Sequence, residues 1–274
     1  MRRKSPNRDS SATRNGSEAK TLPISPVFKA LSSTIALDSL RLSNAPEPTS
    51  TLVADGKTNN QRLKDALLAC LEAEAKIPEE QEKLRKLLRT VPFEGVEYRL
   101  IEYQIDLVAA QLTRAAEIAE ARLAYWDKIR TPADEAREKA ICESDTKHFI
   151  RWWGWSVEPR EDAPLTMTPF GPFDAQNEAV DWAEELMFIR RRHGVLEKSR
   201  DMGATWLFIL MCVKHWLFRP QFTALWGSIN EDKVDKIGAK DTIFEKARVQ
   251  LRHTPEFMMP KGYKEEKHAT FLKI

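Results

Sequence analysis

The sequence predicts an α/β protein: a helical N-terminal region followed by a partial core of parallel sheet built on a βαβ unit. Two observations carry that expectation. Through residues 61–145, segments such as "QRLKDALLACLEAEAKI" repeat their apolar residues at helical spacing. Beyond residue 190 the pattern becomes strand, loop, helix, strand. There "ATWLFILMCVKHWLF", apolar nearly all round, sits between the short β-type runs "HGVLEKS" and "QFTALWGS". A helix apolar on every side between two strands is what a buried parallel unit needs.

The elements follow in order. Residues 1–60 are rich in Ser, Thr, Asn and Pro, a composition that cannot bury enough apolar area to offset chain entropy, so they read as a disordered tail. Within it, "VFKALSSTIALDSLRL" reads as a transient helix or a docking patch. Arg2, Arg3, Lys4, Arg8 and Arg14 have solvation as their commoner meaning and contact with nucleic acid as the sharper one. Residues 61–145 form a helical hairpin or bundle region, with Pro78 placed to open its second helix. A long helix spans about residues 97–130. Its apolar Ile101, Ile105, Val108, Leu112, Ala115 and Ala119 are spaced 4, 3, 4, 3 and 4 apart, the narrow seam of a coiled coil or helical hairpin. Either that seam packs back on the preceding helices or it docks another subunit. A helix opening after Thr131–Pro132 leads to an aromatic cluster of Phe149, Trp152, Trp153 and Trp155. A proline-punctuated loop follows, and then a helix started by Asp174. "NEDKVDKI" and "DTIFEKARVQLRH" close the pattern as amphipathic helices.

Composition narrows the function classes. The net charge of +2 gives no global attraction to nucleic acid or membrane. The three cysteines are scattered and form no CxxC pair, which points to reduced thiols, and the five histidines show no metal-ligand spacing. The basic start lacks the apolar run of a signal peptide. The most apolar run, 206–218, is interrupted by Lys214 and His215 and is too short to span a bilayer. These features lead us to expect a soluble, cytoplasmic protein without membrane partners.

The chemistry concentrates in "EKSRDMGATW". A phosphate cradle needs a tight turn that converges N–H groups, a helix N-terminus and a cation. Gly203 permits the turn, the helix from Ala204 presents free N–H groups, and the Thr205 hydroxyl stands where Mg²⁺ held by phosphates is ligated. The usual lysine is absent, because alanine follows Gly203. Lys198 and Arg200 lie on the opposite limb of the loop, and either can fold over a β- or γ-phosphate. The blander reading is a strand-to-helix turn with solvent-facing basic residues.

Four segments, in order, resemble the ATPase domain of the large terminase subunit, the P-loop NTPase motor that packs viral (bacteriophage) DNA. "HFIRWWGWSVEPR" is similar to the aromatic F-I-x-x-W-x-W segment ahead of the ATPase core. "PFGPFDAQNEAVDW" resembles the adenine-sensing segment, with Phe173 and Gln176 as its aromatic and glutamine. "EKSRDMGATW" resembles the variant phosphate loop K-S-R-x-x-G-x-[ST], and "FTALWGSINEDKVDKIG" the next strand and its E-D-x-V-D helix. The resemblance implies a partial P-loop ATPase domain over residues 146–274, covering somewhat under half the chain. Its cofactors would be ATP and Mg²⁺. The nucleotide-binding set would be Phe173, Gln176, Lys198, Ser199, Arg200, Gly203, Ala204 and Thr205. Lys198 would neutralise the β/γ-phosphates, Arg200 would act catalytically on charge at the departing γ-phosphate, and Thr205 would ligate the metal. The implied partners are double-stranded DNA, a small terminase subunit, the portal and further copies of the chain.

Two departures qualify that expectation. Asp201 places a carboxylate beside bound phosphates, which weakens affinity unless it faces away or pairs with Arg200. After Leu225 no apolar strand ends in Asp-Glu and no nuclease carboxylates follow; the only later Glu-Glu pair is Glu265–Glu266, in a charged loop. Hydrolysis by this chain alone is therefore not expected, and the sequence reads as a motor truncated before its Walker B strand. The alternative is a helical protein-interaction module without nucleotide binding.

Overall fold

A computed structural model describes residues 56–90, 95–158, 163–199, 202–236 and 238–265. The tail's basic residues, its "VFKALSSTIALDSLRL" stretch, Arg200 and Asp201 lie outside the described residues.

Helix α1 (Asn59–Ala75) opens with a reciprocal cap. The Thr58 hydroxyl accepts from the Gln61 N–H at 3.2 Å, and Gln61 Oε1 accepts from the Thr58 N–H at 2.9 Å. Its buried face is Leu63, Leu67, Cys70 and Ala73. Helix α2 (Ile77–Thr90) carries Pro78 in its first turn, where no intrahelical N–H bond is lost. Helix α3 (Val96–Trp126) runs for 31 residues and packs back on both. Along its seam Leu112, Ala115 and Ala119 are buried and Ile101, Ile105 and Val108 half-buried, so this chain's own helices fill that face.

Helix α4 (Pro132–Ser144) begins after Thr131, whose hydroxyl accepts from Asp134 N–H while the Asp134 carboxylate accepts from Thr131 N–H. Helix α5 (Thr146–Trp153) is capped by Asp145. Strands β1 (Trp155–Val157) and β2 (Met167–Pro169) pair antiparallel, Ser156 opposite Thr168. Helix α6 (Asp174–Glu184) continues into a π-helical turn, Glu185–Arg190. Helix α7 (Ala204–Phe218), the single turn α8 (Glu231–Val234) and helix α9 (Ile243–Arg252) complete the order. No helix among the described residues is long and apolar enough to cross a membrane.

The expected parallel βαβ, P-loop NTPase core is overturned. The sheet among the described residues has two antiparallel strands, β1 and β2, both upstream of the region read as βαβ. "HGVLEKS" lies in an irregular stretch where every residue from Arg191 to Ser199 is exposed, Val195 at 92%. "QFTALWGS" is also outside any ladder, with Leu225 90% exposed. Only Phe222 and Trp226 of that stretch are half-buried; they pack on His215 and Phe244.

The physical reason is visible around α7. Helices, not a sheet, cover its apolar circumference: α4, α5 and α6 contact it, and so does α9. Apolarity on every side specifies burial without specifying what does the burying. Even Lys214 and His215 are buried there. His215 Nε2 lies 3.0 Å from Glu184 Oε1 without hydrogen-bond alignment, and that oxygen also accepts from the Thr146 hydroxyl. Burial pulls the pKa of both Lys214 and His215 down, only partly offset by Glu184.

One core runs from α1 through α7, with Phe149, Ile150, Trp153 and Trp155 at its centre. Two buried polar residues tie it together. Arg122 of α3 reaches the carbonyl oxygens of Ile150, Arg151, Gly154 and Phe170, the shortest bonds at 2.7 Å, and so plugs the C-terminus of α5. Gln250 of α9 accepts from the Trp155 N–H and donates to the Trp153 carbonyl, both at 2.9 Å.

Candidate nucleotide site at the start of helix α7

Gly203 is the N-cap residue of α7, with φ 67° and ψ 3°, and has no side chain of its own to cap the helix. The first intrahelical bond runs from Leu207 N–H to the Gly203 carbonyl at 3.0 Å, so the amides of Ala204, Thr205 and Trp206 have no acceptor within the helix. A Cβ at position 203 would lie 2.9 Å from Gln176 Nε2 and 3.5 Å from the Phe170 ring. Glycine is required twice, for the left-handed backbone and for this close approach.

Gln176 approaches the loop from the first turn of α6. Its Oε1 accepts from the Phe173 N–H and its Nε2 donates to the Met202 carbonyl, each at 2.9 Å. A primary amide offers two donors and two acceptor lone pairs, and these bonds use one of each. One N–H and one lone pair remain, the complement of the N7 and N6 edge of adenine. The exposed Phe173 ring has the Arg114 guanidinium 4.1 Å from its centroid, and Arg114 also donates to the Gly171 carbonyl.

The structure thus brings Phe173, Gln176, Met202 and Gly203 together. Ala204 is half-buried, and Thr205 is exposed in the first turn of α7. Lys198 and Ser199 are exposed in the irregular stretch before the loop, and neither joins this group by a hydrogen bond or ion pair among the described residues. The residues present suit a phosphate, which helix-start amides without an intrahelical acceptor and a hydroxyl can hold. A lone hydroxyl does not hold Mg²⁺, so that ion would arrive on the phosphates.

The two acidic features noted downstream serve the fold. Asp235, the last residue of "EDKVD", makes a bidentate pair with Arg248 at 2.7 and 2.8 Å, both side chains buried. Burial works against the Arg248 charge, but Asp235 and Glu245 outweigh it and raise its pKa. Glu265 is bound by Arg252, and Glu266 lies outside the described residues.

A cluster that the sequence reading passed over unites Glu138 and Cys142 of α4 with His148 of α5, their ligand-type atoms within 4.8 Å of one another. Glu138 Oε1 accepts from Trp153 Nε1 at 2.7 Å, pairs with His148 Nε2 at 2.9 Å and accepts from Cys142 at 3.3 Å; Oε2 accepts from Tyr125 at 2.5 Å. The indole N–H cannot ligate a metal and points at the same oxygen a cation would need, so this is a hydrogen-bonded rivet between α3, α4 and α5. The spacing of four between Glu138 and Cys142 was visible in the sequence; their convergence with Tyr125 and Trp153 was not. A separate cleft of about 250 Å³, lined by Lys64, Leu123, Trp126, Asp127, Ile129 and Arg130, shares no residue with the α7 loop.

No family model, curated protein or solved structure matches the chain.

Proposed function

We propose that the chain binds ATP at the start of α7, as the nucleotide-binding N-terminal part of a terminase large subunit that powers viral DNA packaging. The observation that carries the reading is Gln176. The glutamine assigned to adenine sensing contacts the loop assigned to phosphate binding, through the Met202 carbonyl next to Gly203, and keeps half of its amide for a ligand. The ordered run of resembling segments supports the same reading.

In this proposal the α7 amides and the Thr205 hydroxyl meet the phosphates, with Mg²⁺ carried on them. Lys198 and Arg200 supply cationic charge from the preceding limb, and the open face of Phe173 stacks on the base. ATP with its Mg²⁺ supplies the chemistry of phosphoryl transfer. No hydrolytic step is assigned to the described residues, and contacts with double-stranded DNA, a small subunit and a portal belong to the whole motor.

The test is titration of the full chain with a fluorescent ATP analogue. Wild type binds, whereas Lys198→Ala and Arg200→Ala lose binding with unchanged circular dichroism. Absence of binding in the wild type, or binding indifferent to both changes, removes the nucleotide reading. The second reading, a helical interaction module, then stands, and one observation favours it independently: Leu100, Tyr103 and Leu107 are exposed on α3.

A further inference from the structure

The Phe173 ring is clamped on one face by Arg114 of α3. The Arg114 guanidinium lies 4.1 Å from the ring centroid, and one of its terminal nitrogens donates to the Gly171 carbonyl at 3.0 Å. That bond ties the guanidinium to the loop that carries the ring. The loop in turn rests on α3: a Cβ at Gly171 would stand 2.5 Å from Ile118 Cδ1, one helical turn beyond Arg114. From the α6 side, Gln176 Oε1 accepts from the Phe173 N–H at 2.9 Å and fixes the backbone beneath the ring. Among the described residues Arg114 makes no ion pair, so its charge is spent on the ring and the carbonyl alone.

With one face covered by the guanidinium, Phe173 is still 58% exposed, so the second face of the ring is open. An exposed ring that is free to swing loses rotamer freedom when a base stacks on it. A ring already clamped loses less. The cation also draws π density towards the covered face, which eases repulsion between the open face and the π cloud of a base.

We propose that Arg114 is a positioning residue for base stacking: it fixes Phe173 so that the open face of the ring takes the adenine of ATP. This role rests on the nucleotide reading above and extends the site to the long helix α3, outside residues 146–274. A phosphate chain without a base gains nothing from it.

Competition against a fluorescent ATP analogue on the full chain tests it, with ATP and inorganic tripolyphosphate as competitors, each with Mg²⁺. Arg114→Met keeps the aliphatic packing and removes the cation. It weakens ATP about two- to fivefold, the size of an exposed cation–π contact, and leaves tripolyphosphate unchanged. Phe173→Ala weakens ATP on the order of tenfold and also spares tripolyphosphate. Adding Arg114→Met to it costs nothing more, since no ring is left to position. Circular dichroism checks that each variant keeps its helices. Equal losses for ATP and tripolyphosphate in Arg114→Met overturn the proposal, because Arg114 then serves only the local fold. An ATP affinity unchanged in either single variant, or a further loss in the double one, overturns it too and leaves the nucleotide reading standing. A wild type that binds no analogue overturns both.

Discussion

Gln176 Nε2 donates to the Met202 carbonyl oxygen at 2.9 Å, and the same nitrogen stands 2.9 Å from where a Cβ at position 203 would lie. One side chain therefore both straps the loop before α7 and forbids a larger residue there. Gln176→Ala leaves the Phe173 N–H and the Met202 carbonyl to water and lowers stability by about 1 kcal/mol. Gly203→Ala costs about 1–2 kcal/mol for the left-handed backbone, plus the clash. In the double variant the clash disappears with the glutamine while the backbone strain stays, so the two losses sum to less than their separate values. Urea unfolding of the four proteins measures this cycle. Strict additivity would mean that the two residues do not touch.

Arg122 is buried and its five hydrogen bonds end on carbonyl oxygens. Burial pulls its pKa down to about 9, opposed by Cys70 nearby, so it stays charged at neutral pH. Arg122→Met removes donors from four carbonyls at once and is expected to lower stability by about 3–5 kcal/mol, the range for breaking a buried polar network. Arg122→Lys does not rescue it, because an ammonium lacks the planar fork that spans these oxygens. Chemical denaturation midpoints distinguish the cases; a lysine variant as stable as wild type would contradict the geometry.

The same arginine shows why part of the structure was legible in the sequence and part was not. Helix starts were readable because their signals are local: Pro78 in α2, Thr131 and Pro132 as cap and first residue of α4, Asp174 opening α6. The buried seam of α3 was readable too, since its period states which residues face inward. What surrounds α7 was not, because a helix apolar on all sides fits beneath a sheet or among helices equally well, and "HGVLEKS" has strand composition whether or not a ladder exists. The partners of Arg122 are backbone oxygens, which leave no trace in residue identity. At the candidate site, Gly203 and Gln176 could each be proposed from their neighbours in sequence, but their contact depends on how α6 meets α7.

The thiols offer a check on the core. Cys70 and Cys142 are fully buried. Burial pushes the Cys70 thiol up to about 12, against a lowering by Arg122; burial and then Glu138 push Cys142 up as well. Both are expected to resist a disulfide reagent at pH 8 in the native protein and to react fully in denaturant, with the label mapped by mass spectrometry. Rapid native labelling of either would mean that the helices around it open readily.

Glu138 sets an acid limit on stability. Burial alone would raise its pKa, but the bonds from His148, Tyr125 and Trp153 outweigh that and hold the carboxyl at about 2, below its ordinary 4.5. A carboxyl whose folded pKa is depressed contributes stability that is fully present above its unfolded pKa and is lost as pH falls through the folded one. The loss therefore falls between about pH 4.5 and pH 2. Glu138→Gln replaces one acceptor with an N–H that faces the Trp153 or Tyr125 donor, so it is less stable than wild type at pH 7. It also loses this part of the acid dependence, and the two unfolding curves approach one another as pH drops towards 2. Guanidinium titrations at stepped pH read the difference directly, and a gap between the proteins that stays constant across that window would show that Glu138 is not held ionised by its three partners.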